Sequence, residues 1–314
     1  MITALVQYAL LLLTTGFLVR CIYRVYFHPL SSIPGPKFAA CSSLWLAYHS
    51  FHGTESTAVY ILHQKYGRIL RVAPNDVDLD DSDALDPMYI RRGGFAKSPV
   101  YSKFDIDQHA TIFSTLTLPE RAPRAKAVAP LFATSAIRDS AEHGSGMQFQ
   151  AVFDDFIARL RAESQMGKPV NVLDTTRSLA LDAVSTYLFH SRYGAVGEAS
   201  GNTMSAAPFV DAFVGVGAYF NLMPGILGDT IMQLVEWWTT TAKTKAAFGL
   251  MDRYTSKLIR TAESNSGSYQ SRLMERIPSR QAKVEVKDVC FAGTDSTGMN
   301  MATVLWNLAR NHDM

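Results

Sequence analysis

Apolar residues run almost unbroken from Ala4 to Val19, interrupted only by Gln7, Thr14, Thr15 and Gly16. Continued through Cys21, Ile22 and Tyr23, with Arg20 snorkelling, the run reaches the roughly 20 residues that a bilayer-spanning helix needs. A cleaved leader is the competing reading. Against it, the basic residues Arg20 and Arg24 follow the apolar run, and no small-x-small cleavage site stands clear of them. Only the terminal amine precedes the run, whereas Arg20, Arg24 and Lys37 follow it, so the charge bias orients the following body towards the cytosol. Next come Phe27-His28-Pro29-Leu30 and Ile33-Pro34-Gly35-Pro36, where prolines fix φ and push their neighbours towards extended backbone. This segment is a stiff hinge that sets the angle of a body to a membrane, or simply a proline-bearing linker.

Beyond the hinge, Val59, Leu62 and Tyr66 recur at helical spacing and predict a helix over Glu55 to Tyr66 that Gly67 ends. Arg68 to Ala73 and Val77 to Leu79 flank Pro74-Asn75-Asp76, the turn chemistry of a hairpin. After Asp83 the helical period dominates. It predicts helices over Gln148 to Glu163, Asp174 to His190, Phe209 to Phe220, Ile231 to Ile259 and Val286 to Arg310. Gly194 to Ala207 and Glu263 to Lys287 read as long surface connections within one body. The fold class is mainly α with a small β element, and no internal repeat is visible.

Composition narrows the classes. With 47% hydrophobic residues in 314, the chain can bury a large core, which excludes a disordered tail or a disulfide miniprotein. A formal charge of +2 implies no nucleic-acid field. Cys21, Cys41 and Cys290 lie far apart without histidines at ligand spacing, so neither a disulfide framework nor a metal cluster of protein ligands follows. Cytosolic exposure agrees with the few cysteines and with the lack of any Asn-x-Ser/Thr sequon.

The stretch with chemical content is Ala292-Gly293-Thr294-Asp295-Ser296-Thr297, inside the last apolar helix. Gly293 and Gly298 each cost a helix interior about 1 kcal/mol relative to alanine, and an acid in an apolar run must be paired or desolvated. Hydroxyls at Thr294, Ser296 and Thr297 can bond back to carbonyls one turn earlier and bend the helix. The combination makes sense if a large flat group packs on Ala292 and Gly293, with Asp295 and its neighbouring hydroxyl delivering protons into the pocket so formed. The alternative is an ordinary small-residue helix crossing, with Asp295 facing solvent.

At these residues the chain resembles a cytochrome P450 of the fungal, membrane-anchored kind. The anchor with its Phe27-His28-Pro29-Leu30 and Ile33-Pro34-Gly35-Pro36 hinge resembles the family's entry segment. The run from Leu62 to Pro74 resembles its first helix and strand, and Ala292 to Thr297 resembles its oxygen-activating helix. The resemblance implies a haem-thiolate monooxygenase of an apolar small molecule in secondary metabolism, reduced by NADPH through a cytochrome P450 reductase and held on the endoplasmic reticulum membrane. By the same resemblance Asp295 is the relay acid, Ser296 the relay alcohol where threonine is usual, Thr297 their catalytic neighbour, and Ala292 and Gly293 the surface that lies over the haem.

The resemblance divides the chain into an anchor over 1–26, a hinge over 27–37 and a partial P450-like helical domain over 38–314. Two departures follow. The family's two haem-propionate positions fall on Arg121 and Ala125; Arg121 or Arg124 can substitute, or both are solvated charges, and Pro123 is expected to disturb that helix. The chain also ends just after the oxygen helix, without the Glu-x-x-Arg pair or the glycine-flanked cysteine of the family, and no cysteine present has that ligand context. The expectation is therefore an N-terminal part of the fold, truncated and inactive as it stands. The alternatives are a non-catalytic membrane-tethered protein binding a ligand or partner, or an unfolded remnant. Gly215-Val216-Gly217 lacks a dinucleotide context, His49 and His52 read as surface or aromatic-cluster residues, and Trp237-Trp238 with Met223 to Leu234 reads as core or as a membrane-dipping stretch.

Overall fold

A computed structural model describes residues 2–91, 95–144, 146–167, 169–198, 206, 249, 252, 253, 255–260 and 267–311. The helix expected over Phe209 to Phe220, most of that over Ile231 to Ile259, the glycine pair at Gly215 and Gly217 and the tryptophan pair lie outside the described residues. The chain divides into two compact units, Met1–Phe95 with Val214–Thr239, and Ala96–Phe213 with Thr240–Met314.

In the first unit, helix α1 covers Ile2–Ile22 and closes in a wide π-type turn over Tyr23–Phe27. The span Thr3–Phe27 is long and apolar enough to cross a membrane, and none of its most apolar window is buried. Prolines then hold the chain in turns until α2, Lys37–Cys41, and α3, Leu44–Phe51. Arg71 ties this hinge down. Its guanidinium donates to the carbonyls of Arg24 (2.8 Å), Leu30 (3.3 Å) and Pro74 (2.7 Å), while its backbone N–H donates to Pro34 (2.8 Å). Gly35 passes so close that a Cβ there would lie 2.4 Å from the Arg71 carbonyl oxygen, which is why the hinge needs glycine at this point.

Helix α4 occupies Glu55–Tyr66, as the spacing predicts, and Gly67 stops it with φ of 94°. Strands β1, Ile69–Arg71, and β2, Val77–Leu79, pair antiparallel with Leu70 opposite Asp78. The turn between them closes with Asp76 accepting from Val72 and Ala73. Leu46, Leu70, Val72 and Ala73 form the small core beneath, with Trp45, Val59, Leu62 and Tyr66 packed on it. His49 and His52 stack among Trp45, Tyr48 and Phe51, the aromatic cluster expected of them.

The second unit is helical throughout its described regular structure. Helix α5 spans Leu118–Val128 and runs straight through Pro123, contrary to expectation. Proline at the sixth position forfeits only a bond to the Pro119 carbonyl near the exposed start of the helix. Helices α6 (Thr134–Asp139), α7 (Gly146–Gln165) and α8 (Val172–Phe189) follow. The expected surface connection after His190 is partly interior. Ala195 and Val196 are buried because the carboxylate of Asp182, fully enclosed, accepts the amides of Gly194 (2.6 Å), Ala195 (2.9 Å) and Val196 (3.0 Å).

The expectation of a long surface connection over Glu263 to Lys287 is overturned in the same way. Helix α9, Tyr269–Met274, lies within it with Tyr269 and Leu273 buried, and the last helix, α10, already starts at Ser279 and continues to Arg310. Its polar residues Glu285 and Lys287 looked solvated, but both are interior and partnered. Helices α8 and α10 carry the core of the unit, where Leu181, Leu188, Phe189, Tyr269, Ala282, Val286 and Cys290 meet.

Candidate functional site

The stretch Ala292 to Thr297 lies in mid-α10, and its side chains divide between two faces. Cys290, Thr294 and Gly298 recur every four residues and are buried. This seam packs on α8. A Cβ on Gly293 would meet Val184 Cγ2 at 3.1 Å, and one on Gly298 would meet Arg177 Cγ at 2.7 Å. The lower-numbered α8 residue thus faces the higher-numbered α10 residue, so the two helices run antiparallel. Thr176 Oγ1 donates to the Gly298 carbonyl at 2.8 Å and locks the register. Gly293 and Gly298 are explained by this close crossing alone.

Ala292, Ser296 and Thr297 are exposed on the other side. Two hydroxyls bond back as the sequence suggested: Thr294 Oγ1 to the Cys290 carbonyl at 2.8 Å, and Ser296 Oγ to the Ala292 carbonyl at 2.9 Å. Asp295 is at the edge of the seam, where its Oδ1 accepts from Arg177 Nε (3.1 Å) and Nη2 (3.0 Å). The Arg177 side chain is only 5% exposed and has Asp174 as a second acid at 3.8 Å. Among the described residues Asp295 and Ser296 share no hydrogen bond, so acid and alcohol are neighbours with separate partners. Arg177 was not singled out from the sequence; the available signal was a lone arginine within the apolar period of α8.

A second group of charges surrounds the loop from Ala110 to Thr115. Arg124 Nη1 donates to the Ala110 carbonyl (2.8 Å) and to Thr115 Oγ1 (2.6 Å), so this arginine is occupied in holding the loop. Lys97 Nζ donates to the carbonyls of Ile112 and Phe113. Burial lowers the Lys97 ammonium below its ordinary value, and nearby Arg121 adds to the effect. From α10, Glu285 accepts from the Ile112 amide (3.0 Å) and from Gln281 Nε2 (2.8 Å). Burial raises the carboxyls of Glu285 and Asp288, although hydrogen bonds to each oppose the rise. Arg121 differs from Arg124, because its Nε is buried without an acceptor among the described residues.

Cys290 is enclosed in the core, and burial pushes its thiol up to about 12, so it keeps its proton and is inert as a ligand or nucleophile. Cys21 and Cys41 are in the other unit. Among the described residues no group of three or more His, Cys, Asp or Glu side chains is placed to hold a metal ion.

No family model matches the chain. It is similar to the cytochrome P450 monooxygenase mfmF of Annulohypoxylon moriforme, 33% identical over 313 residues, which cover 94% of this chain and 63% of that protein. Shorter similarities link it to the cytochrome P450 monooxygenase sdnT of Sordaria araneosa, 45% identical over 27% of this chain and 15% of the relative. A third links it to the cytochrome P450 monooxygenase TwmD of Talaromyces wortmannii, 33% identical over 44% of this chain and 27% of the relative. The mostly helical fold, the small hairpin and the apolar N-terminal helix match the N-terminal part of a P450-like fold. Together with these relatives they support membership of the cytochrome P450 family. The chain spans just under two thirds of the length of mfmF and less of the others.

The family implies haem, and the residues present fit it at one edge only. The Arg121 Nε, buried and lacking an acceptor, suits a propionate carboxylate. The iron is different. It takes a thiolate in this family, and Cys290, buried and keeping its proton, does not suit that role.

Proposed function

We propose that this chain is the N-terminal, distal part of a membrane-anchored haem monooxygenase that oxidises an apolar small molecule in fungal secondary metabolism. The observation that carries the reading is the similarity to a P450 monooxygenase along 94% of the chain. On this reading haem supplies the oxygen chemistry when bound, and electrons come from NADPH by way of a reductase. The exposed surface of α10 at Ala292 would face the ring, while Gly293 lets α10 lie close against α8 behind it. Arg121 would hold a propionate, while Arg124 shapes the loop next to it. Ser296 Oγ, bonded to a carbonyl of its own helix, and Thr297 would carry protons on the exposed side. Asp295 would exchange them with solvent from its place beside Arg177.

The apolar helix α1 would be the membrane anchor, with Arg20, Arg24 and Lys37 retained on the cytosolic side of the endoplasmic reticulum. A tethered, non-catalytic binding protein is the second reading, favoured by the separate partners of Asp295, held by Arg177, and Ser296, bonded to its own helix.

The two readings separate in a chimaera that joins this chain to the C-terminal segment of a P450 relative, supplied with reductase and NADPH. The first expects Ser296→Ala to raise the peroxide released per NADPH consumed, because proton delivery to the right oxygen depends on that hydroxyl. Unchanged peroxide yield in Ser296→Ala and Thr297→Ala together would mean that no proton relay runs through these hydroxyls.

A further inference from the structure

We propose that the second unit carries a binding site for a small organic anion, separate from the Ala292 to Thr297 surface. The site is a cavity of about 260 Å³ bounded by Ser256, Ile259 and Arg260, by Arg280, Lys283, Val284 and Lys287 of α10, and by Asp107 and His109. Four basic side chains border it against one acid. Lys287 is neutralised, since its Nζ binds Asp107 Oδ2 (2.8 Å) and Asp252 Oδ1 (2.9 Å). Arg260 and Arg280 have no acidic partner at ion-pair distance among the described residues. The buried Ile259 and Val284 give the cavity an apolar floor.

Asp107 and His109 line the cavity from a tight turn. Asp107 and Gln108 both adopt left-handed backbone, with φ of 50° and 62°, to close the tight turn between the bridged residues Ile106 and His109. Neither is glycine, so the turn is strained, and the Asp107 bond to Lys287 together with the His109 Nδ1 contact to the Asp107 carbonyl (2.6 Å) hold it. Such a pocket recognises a molecule with two parts: an apolar body to lie on Ile259 and Val284, and an oxyanion for the guanidinium groups of Arg260 and Arg280. Carboxylate and phosphate both offer the paired oxygens that a guanidinium fork binds.

The test titrates the full chain, in nanodiscs of uncharged phosphatidylcholine, with benzoate, phenyl phosphate and benzyl alcohol, followed by ligand-observed NMR. At least one anion is expected to bind about tenfold or more tightly than the alcohol, and Arg260→Gln or Arg280→Gln to weaken it about tenfold. The preferred anion identifies the headgroup as carboxylate or phosphate. Circular dichroism establishes that each variant is folded. Should either unfold, the wild-type affinity decides, because it must fall as ionic strength rises from about 0.05 to about 0.5 M. The proposal is overturned if the alcohol binds as well as both anions, if folded variants keep wild-type affinity, or if salt leaves the affinity unchanged. None of these outcomes depends on haem or turnover, so failure here leaves the monooxygenase reading intact.

Discussion

Gly298 sits where α10 comes closest to α8, and a methyl group there would lie 2.7 Å from Arg177 Cγ and 2.8 Å from its Cα. Alanine would gain about 1 kcal/mol of helix propensity but overpack against backbone, which costs roughly 1–3 kcal/mol. Gly298→Ala is therefore expected to lower the urea midpoint. Gly293→Ala meets only the side chain of Val184, at 3.1 Å, which can yield, and should change stability by less than about 1 kcal/mol. A Gly298→Ala variant as stable as Gly293→Ala would contradict the tight crossing. Asp295→Asn should cost about 1 kcal/mol, because it withdraws charge from a buried guanidinium whose other acid, Asp174, stands 3.8 Å away, while the 36% exposure of Asp295 softens the loss. Ser296→Ala, on the exposed face, should stay within about 0.5 kcal/mol of wild type. Urea denaturation of both variants checks this, and it makes Ser296→Ala the cleaner probe of chemistry.

Among elements, the contact of α4 with the hairpin depends on His63. Its Nδ1 lies 2.7 Å from the Gly67 carbonyl and its Nε2 2.7 Å from Asp78 Oδ1, so both ring nitrogens face acceptors and the imidazole must carry two protons. Burial opposes that charge, but the bonds to Asp78 and Gly67 outweigh it and the folded pKa lies above the ordinary value. The native state therefore holds this proton more tightly than the unfolded chain. The resulting stability is complete below about pH 6.5 and is lost as pH rises through the higher folded value. Unfolding of the first unit, measured from about pH 5.5 to 8.5, should show a wild-type advantage over His63→Gln that shrinks as pH rises; an advantage that grows would refute the doubly protonated ring.

Elements whose neighbours are local were legible in the sequence. Helix α4, its stop at Gly67 and the Pro74-Asn75-Asp76 hairpin all follow from spacing and turn chemistry within a few residues. Helix α2, only five residues long, and helix α3, whose aromatic and histidine run from Trp45 to His52 carries no clear period, were not. The beginning of α10 was missed because Glu285 and Lys287 find partners at Ile112 and Asp107, more than 170 residues away in the chain. Asp182 and Arg177 escaped notice for the same reason, since long-range partners turn polar residues into interior ones. At the candidate site the motif itself was visible, but the division of Asp295 and Ser296 between two faces depends on α8.

For the whole molecule, deletion of residues 1–26 should move the protein from the membrane pellet to the soluble fraction on carbonate extraction, because Thr3–Phe27 is the one span among the described residues long and apolar enough to cross a bilayer. Retention in the pellet would mean that another surface holds the membrane. The reduced, carbon monoxide-treated spectrum of the chimaera with a relative's C-terminal segment tests most directly the proposal that this chain supplies the distal part of a haem-thiolate enzyme. The expected result is a thiolate-type Soret band in the chimaera, haem retention that falls with Arg121→Ala, and no such band from the 314-residue chain alone. A folded chimaera that takes up no haem, or a thiolate-type band from the chain by itself, would contradict it.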